Sequence, residues 1–296
     1  MTNKARIGMV GIGLMGHGIA TNIVKHGYSL KVLDHPGNQP LDALIKAGVS
    51  VAKTPSEVAA DVDIVLLCVT GSPQVEAVLL GDEGVLQGVR EGCVVIDCST
   101  AIPSSTERLA RLVNERGARF MDAAMTRTPK EAAEGRLNLL VGADDALFAE
   151  CRPLLACFAE NITHAGPVGA GHRMKLLHNF VSLGSVALIA EAAACAARAG
   201  IAADVFVDVL AKGGGGGTAL NRVSPFILEG DPSGLRFSLS NALKDLGYYT
   251  AMAEDSQSAS LIAQGIQQTM KNGLERGNDQ TLLPELTAIL TKNGQS

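Results

Sequence analysis

Arg6-Ile7-Gly8-Met9-Val10-Gly11-Ile12-Gly13-Leu14-Met15-Gly16 is the stretch that decides the fold. Residues 6–10 read as a short buried strand. Met15, Ile19 and Ile23, with Ala20 and Val24, then repeat at helical spacing. Between them lies G-x-G-x-x-G. Strand, glycine pattern and helix together are the context that a dinucleotide-binding turn requires. Gly11 allows the tight turn, Gly13 lets a diphosphate approach the backbone, and Gly16 lets helix and strand pack closely. Leu14 and Met15 open the helix, whose free N–H groups and dipole favour an anion. A second strand, Leu30-Lys31-Val32-Leu33, ends at Asp34, about twenty residues later. An acid there fits a hydrogen bond to the ribose 2′-OH and repels a 2′-phosphate. NAD is therefore the expected cofactor. NADP stays open, because a protonated His35 would tolerate the phosphate.

Outward from this stretch, the first half alternates strand and helix. Thr54-Pro55-Ser56-Glu57 marks a helix start, with Thr54 as N-cap, Pro55 at the first helical position and Glu57 closing a capping box. The apolar run from Ile64 to Val69 suits a parallel strand covered on both faces. Val94-Val95-Ile96-Asp97, residues 119–123 and residues 137–141 follow. Ligands of such sheets bind beyond the carboxyl ends of the strands. Val69, Thr70, Ser99, Thr100 and the segment after Asp122 leave strands at that edge. Each hydroxyl there is either a turn residue or a contact to cofactor or substrate.

Beyond about residue 167 no clear strand pattern continues. Met174 to Ala199 is a long run of helix formers and small residues. Val181 to Gly200 is apolar enough to raise the question of a membrane span. Glu191 and Arg198 interrupt it, and its alanines and serines carry little hydrophobicity. The expectation is a buried helix between two domains, also available to a second subunit. Asp204 is expected to cap the next helix, which ends near Gly213. Gly213 to Gly217 cannot be helix interior. The run is either a mobile lip or a plain connector. Further helices are expected over 235–253 and 259–273. The sequence thus predicts an α/β Rossmann domain over 1–166. An all-α substrate and dimerisation domain over 167–296 follows, beginning with the long linking helix.

Composition agrees. The chain has 296 residues, enough for two domains, with 47% hydrophobic residues and a net charge of −5. This mild acidity gives no reason to expect nucleic acid or an anionic membrane as partner. The N-terminus runs straight into the first strand, so no signal peptide is expected. Cys68, Cys93, Cys98, Cys151, Cys157 and Cys195 contain no C-x-x-C pair. They read as free, mostly buried thiols of a cytoplasmic protein, and no metal site is expected.

The second informative stretch is Gly169-Ala170-Gly171-His172-Arg173-Met174-Lys175-Leu176-Leu177-His178-Asn179. Lys175 and Asn179 are four apart and share one face of a helix. Oxidising an alcohol needs a base for the O–H proton as hydride leaves, and the reverse reaction needs an acid. A lysine serves if burial or a nearby cation lowers its pKa. Arg173 and Arg127 are candidate neighbours. His172 and His178 flank the lysine and either could be a base, but their spacing fits no metal motif.

These residues resemble the β-hydroxyacid dehydrogenases, such as 3-hydroxyisobutyrate dehydrogenase and tartronate semialdehyde reductase. The motifs lie in that family's order: Gly11 to Gly16, Asp97-Cys98-Ser99-Thr100, the segment 122–137, Gly169 to Asn179, and Lys244-Asp245-Leu246. The resemblance covers essentially the whole chain. It implies hydride transfer between a nicotinamide and the carbon bearing a β-hydroxyl, and a homodimer or homotetramer. It also implies Lys175 as the catalytic lysine, Asn179 as the substrate amide, Ser99 and Thr100 at the substrate and cofactor, and Lys244 closing the site. The chain departs from the pattern in two places. Position 178 is commonly asparagine in the family and is His178 here. The usual Asp-x-Pro-Val-Ser-Gly-Gly is replaced by Asp122-Ala123-Ala124-Met125-Thr126-Arg127-Thr128-Pro129. An Arg-Thr pair there looks like the sulfolactaldehyde reductase branch. A guanidinium fork suits a carboxylate or a sulfonate. Alternatively Arg127 points to solvent or pairs with Glu131 four residues on.

The substrate expected is a small anionic hydroxy acid or semialdehyde, bound by Ser99, Thr126, Arg127, Thr128, His178 and Asn179. Sulfolactaldehyde or dihydroxypropanesulfonate and succinic semialdehyde or 4-hydroxybutyrate are specific alternatives. A non-catalytic NAD-binding sensor is the alternative from another class. Such a sensor would keep the glycine turn but need not keep Lys175, Asn179 and Lys244.

Overall fold

The computed structural model describes residues 4–292. Eight strands form one sheet: β1 (Ile7–Val10), β2 (Leu30–Leu33), β3 (Ser50–Ala52), β4 (Ile64–Leu67), β5 (Val94–Asp97), β6 (Arg119–Thr126), β7 (Leu137–Gly142) and β8 (Ala159–Gly166). Their order is β3-β2-β1-β4-β5-β6-β7-β8. The first six are parallel. β7 runs antiparallel to β6, and β8 follows β7 in parallel. Between the strands lie α1 (Leu14–Lys25), α2 (Asp42–Lys46), α3 (Pro55–Ala59), α4 (Ser72–Leu80), α5 (Val85–Gly88), α6 (Pro103–Glu115), α7 (Pro129–Glu134) and α8 (Asp145–Leu155).

The apolar runs explain the layers. Ile64, Leu66, Val94 and Ile96 join one buried cluster, while Val65, Leu67 and Val95 join another. Successive side chains of a strand point to opposite faces, so both faces of this sheet are covered. Each such side chain, fully buried, contributes roughly 1.5–3 kcal/mol. The reversal of strand order falls between β1 and β4, where open α/β sheets bind ligands.

α9 (Ala170–Arg198) is one unbroken helix of 29 residues. The chain divides into two compact units inside it, at Lys175 and Leu176. After α9 come α10 (Ala203–Lys212), α11 (Thr218–Glu229), α12 (Leu239–Asp255), α13 (Leu261–Arg276) and α14 (Leu286–Lys292), with two short 3₁₀ turns. Leu176, Leu183, Val186 and Ile189 of α9 join Leu220, Leu246, Ile266, Met270 and Leu286 in the second unit's core. Among the described residues α9 is the one helix apolar enough to cross a bilayer, yet these side chains lie in a protein core.

Local expectations need correction at several points. Thr54 caps α3 by accepting from Glu57 N at 3.2 Å, but Glu57 reaches back to Lys53 N, one residue early. Asp204 sits inside the first turn of α10 and does not cap it; Ala202 is the N-cap. β8 is a strand that sequence periodicity did not reveal. It lies at the sheet edge, and Glu160, Asn161, Thr163 and Ala165 are exposed. α11 was likewise unread.

Candidate active site

The glycine turn joins β1 to α1. Gly11 has φ +98°, and a Cβ there would collide with the Cys68 carbonyl at the end of β4. A Cβ on Gly16 would collide with the Gly11 carbonyl. Gly13 differs: its Cβ would meet nothing within 4 Å. Gly11 and Gly16 thus serve packing, and Gly13 faces open space at the N-cap of α1. Open space at a helix N-terminus is what a diphosphate needs. Leu14 is exposed and Met15 half-buried beside it, and Asp34 is exposed at the end of β2.

Asn38 is a contributor that the sequence did not disclose. Its Nδ2 donates to the Leu33 carbonyl at 2.8 Å, and its Oδ1 accepts from Ile12 N at 3.3 Å. Gln39 N donates to the Ile12 carbonyl at 2.8 Å. The segment after β2 is thereby tied to the glycine turn. No local pattern marks a residue whose partners lie 26 positions away.

The β4 and β5 ends meet next. Val69 N donates to Ser99 Oγ at 3.0 Å, and Ser99 N donates to Asp97 Oδ1 at 2.9 Å. Ser99 is buried, Thr100 is partly exposed and Thr70 is exposed. β6 ends at the same sheet edge. Thr126 Oγ1 accepts from Asn138 Nδ2 at 3.1 Å. Arg127 follows with φ +82°, a left-handed backbone state that favours glycine. Its guanidinium bonds Glu160 on β8 and the Arg136 carbonyl. Glu131 is not its partner. That carboxylate caps α7 instead, accepting from Thr128 N at 3.0 Å and Thr128 Oγ1 at 2.5 Å. The Thr128 hydroxyl holds Glu131 below the usual carboxylate range.

α9 starts on Asp122, whose oxygens accept from Gly169 N at 2.6 Å and His172 N at 2.7 Å. Burial raises the Asp122 carboxyl, opposed by His172 and these two N–H groups. His172 is fully buried with both ring nitrogens engaged, which removes it as a base for substrate. Arg173 pairs with Glu107 at 2.6 Å. Both arginines considered as neighbours of Lys175 are therefore committed to carboxylates. Lys175 is half-buried, one turn past the helix start.

In the second unit Asn179 is buried and held at both ends. Its Nδ2 donates to Asp245 Oδ2 at 2.7 Å, and its Oδ1 lies 3.0 Å from His178 Nδ1. Lys244 Nζ lies 3.2 Å from Asp245 Oδ1 and 5.5 Å from the Tyr248 ring centre. α9 and α12 thus bring His178, Asn179, Lys244 and Asp245 together. Among the described residues no group of His, Cys, Asp and Glu is placed to hold a metal.

Comparison with known proteins bears on the family and the fold. The family model for the NAD binding domain of 6-phosphogluconate dehydrogenase matches residues 6–166. The model for the NAD-binding domain of NADP-dependent 3-hydroxyisobutyrate dehydrogenase matches residues 169–285. The chain is 32% identical over 260 residues to NAD-dependent L-serine dehydrogenase of Pseudomonas aeruginosa, covering 86% of this chain and 87% of that one. It is 31% identical over 248 residues to 2-(hydroxymethyl)glutarate dehydrogenase of Eubacterium barkeri, covering 83% and 82%. The fold is similar to 3-hydroxyisobutyrate dehydrogenase of Mycobacterium tuberculosis solved with L-serine. There the TM-score is 0.86 at 24% identity, over 97% of this chain and 99% of that one.

Proposed function

The chain belongs to the β-hydroxyacid dehydrogenase family, and from that premise we propose that Lys175 is the general acid–base in oxidation of a small anionic hydroxy acid or reduction of its semialdehyde. The protein is an NAD(P)-dependent oxidoreductase. The observation that carries the mechanism is Lys175 four residues before a buried, doubly anchored Asn179 on one unbroken helix. The nicotinamide, when bound, supplies or accepts the hydride. Gly11, Gly13, Leu14, Met15, Gly16 and Asp34 would hold the nucleotide, with Val69, Thr70, Thr100 and Lys244. Asp34 favours NAD over NADP by hydrogen bonding to the ribose and repelling a 2′-phosphate.

The chain's own groups do the rest. Lys175 takes the hydroxyl proton as the carbonyl forms, and returns it in the reverse direction. Asn179 orients the substrate, and its rigid attachment to Asp245 keeps that orientation fixed. Ser99 and His178 add polar contacts. Thr126, Arg127 and Thr128 take the acid group, with the substrate anion displacing Glu160 from the guanidinium fork. The fork suits a sulfonate of the sulfolactaldehyde type and a carboxylate such as that of succinic semialdehyde alike. We assign the assembly as a homodimer or homotetramer and, from the six free cysteines, a reducing cytosol.

Absorbance of the reduced nicotinamide tests the reading. The panel is 3-hydroxyisobutyrate, glycerate, 4-hydroxybutyrate, threonate, serine and dihydroxypropanesulfonate, each with NAD and NADP. Turnover should be best with an anionic member and NAD. No turnover with any member, with NAD still bound, would favour a sensor. A kcat/KM about tenfold better with NADP would sink the cofactor assignment.

A further inference from the structure

Beside Asn179 the second unit holds a cavity of about 290 Å³ between α9 and α11, at the small end of the range for ligand pockets. His178, Ser182 and Ser185 reach it from one face of α9, at spacings of four and three. Thr218 and Arg222, four apart, reach it from α11. His178 Nδ1 lies 3.0 Å from Asn179 Oδ1, so the cavity adjoins the amide assigned to the substrate.

The lining is positive and unbalanced. Arg119, Arg127 and Arg173 each pair with a glutamate. Arg222 is half-buried, and among the described residues its guanidinium has no carboxylate or carbonyl partner. No Asp or Glu lines the cavity. A guanidinium drawn partly out of water without a counter-charge is costly, so the position calls for an anion from outside the chain. The Ser182 and Thr218 hydroxyls also have no protein partner among the described residues, whereas Ser185 Oγ donates to the Val181 carbonyl at 2.7 Å. Val186 and Leu235 give the cavity an apolar side. The glycine run 213–217, directly before Thr218, contributes no side chain to fill it. A guanidinium fork flanked by hydroxyl donors suits two oxygens of a carboxylate or sulfonate, and the apolar side suits a short hydrocarbon stem.

We propose that this cavity is a second anion subsite, in which Arg222, Ser182 and Thr218 hold an acid group at the far end of the substrate's carbon stem. The substrate class it selects is a hydroxy acid or semialdehyde carrying two anionic groups. Its assignment to substrate rests on Lys175 as acid–base and Asn179 as the orienting amide; anion binding at Arg222 does not.

Steady-state kinetics of the full chain with NAD compare 3-hydroxyadipate with 3-hydroxyhexanoate, which has a methyl in place of the far carboxylate. The diacid should be preferred in kcat/KM by about tenfold or more. Arg222→Gln should raise KM for the diacid roughly 10- to 100-fold, with kcat near the parent's and the monoacid unaffected. Arg222→Lys should recover part of the loss. Equal kcat/KM for the two acids in the parent, or equal losses on both in Arg222→Gln, overturns the proposal. Because the arginine has no protein partner, Arg222→Gln should keep the parent's melting temperature. If it does not fold, Ser182→Asp gives the cavity its own carboxylate and should discriminate against the diacid alone. Calorimetric titration with adipate, a diacid without the hydroxyl, separates the subsite from the chemistry. Adipate that fails to bind, or that binds Arg222→Gln as well as the parent, overturns the subsite. Arg222-dependent adipate binding with no turnover of either hydroxy acid would mark failure of the acid–base reading instead, and the subsite would stand.

Discussion

Arg127 holds a charged side chain on a backbone suited to glycine, at the sheet edge where Gly11, Val69 and Ser99 also end their strands. The left-handed state costs about 1–3 kcal/mol for a non-glycine residue. Its exposed pairing with Glu160 offsets about 0–1 kcal/mol of that. Arg127→Gly should therefore leave thermal stability unchanged or slightly raised. If the fork binds the substrate's acid group, KM for the anion should climb, with roughly 2–5 kcal/mol of transition-state binding lost. Arg127→Lys should recover only part, because an ammonium lacks the planar pair of donors. Steady-state kinetics on a charged substrate and its neutral analogue check this, and equal losses on both would reduce Arg127 to a loop residue. Lys175→Ala should lower kcat by roughly 10²- to 10⁴-fold with NAD affinity kept. A near-normal kcat would promote His178.

At the scale of elements, the β1–α1 turn separates binding from packing. Gly13→Ala places a methyl in open space, so it should fold with an unchanged melting temperature and bind NAD poorly. Gly16→Ala drives a methyl into the Gly11 carbonyl, so it should lose stability as well. Calorimetry with and without NAD distinguishes the two, and equal destabilisation would remove Gly13 from the diphosphate cradle. The same contrast shows what was legible in the sequence. β1, β4 and β5 announce themselves as apolar runs between turn residues, and β2 as one broken only by Lys31. β8 does not, because an edge strand with one solvated face carries too little pattern. Lys175 and Asn179 were legible by spacing along one helix. Asn38, Asp245 and Glu160 were not, because their partners are distant in the chain.

Across the whole molecule, several carboxylates are held below their ordinary range: Glu76 by Ser105 and Arg108, Glu131 by Thr128, and Glu150 by Arg119. A depressed folded pKa gives stability present above the unfolded value, near 4.3 for Glu, and lost as pH falls through the folded one. Asp122 acts in the opposite sense: raised chiefly by burial, it favours the fold below its ordinary pKa and less as pH rises through its folded pKa. The melting temperature should therefore fall below about pH 4, with Asp122 opposing that loss, and a midpoint still rising there would contradict this balance. The cysteines give a second whole-molecule readout. Burial pushes Cys93 up to about 11 and Cys151 up to about 12, while Cys195 is exposed on α9. A thiol reagent should label Cys195 first in the native protein, and mass spectrometry of the labelled peptides checks the order. The division of the chain inside α9 was not legible in advance, because no break in helical pattern accompanies it.

The positive φ of Arg127 also bears on how freely that position can change. The turn already has the geometry that a glycine would adopt, so glycine and arginine can exchange without rebuilding the strand ends on either side. Glycine and arginine codons differ by a single base. If Arg127 binds the substrate as proposed, one point mutation would convert a charged wall of the substrate loop into an uncharged one while the scaffold stands. Exchange at this locus needs no insertion and no compensating change in the core, so under the proposed role of Arg127 selection could alter substrate charge there by a single step.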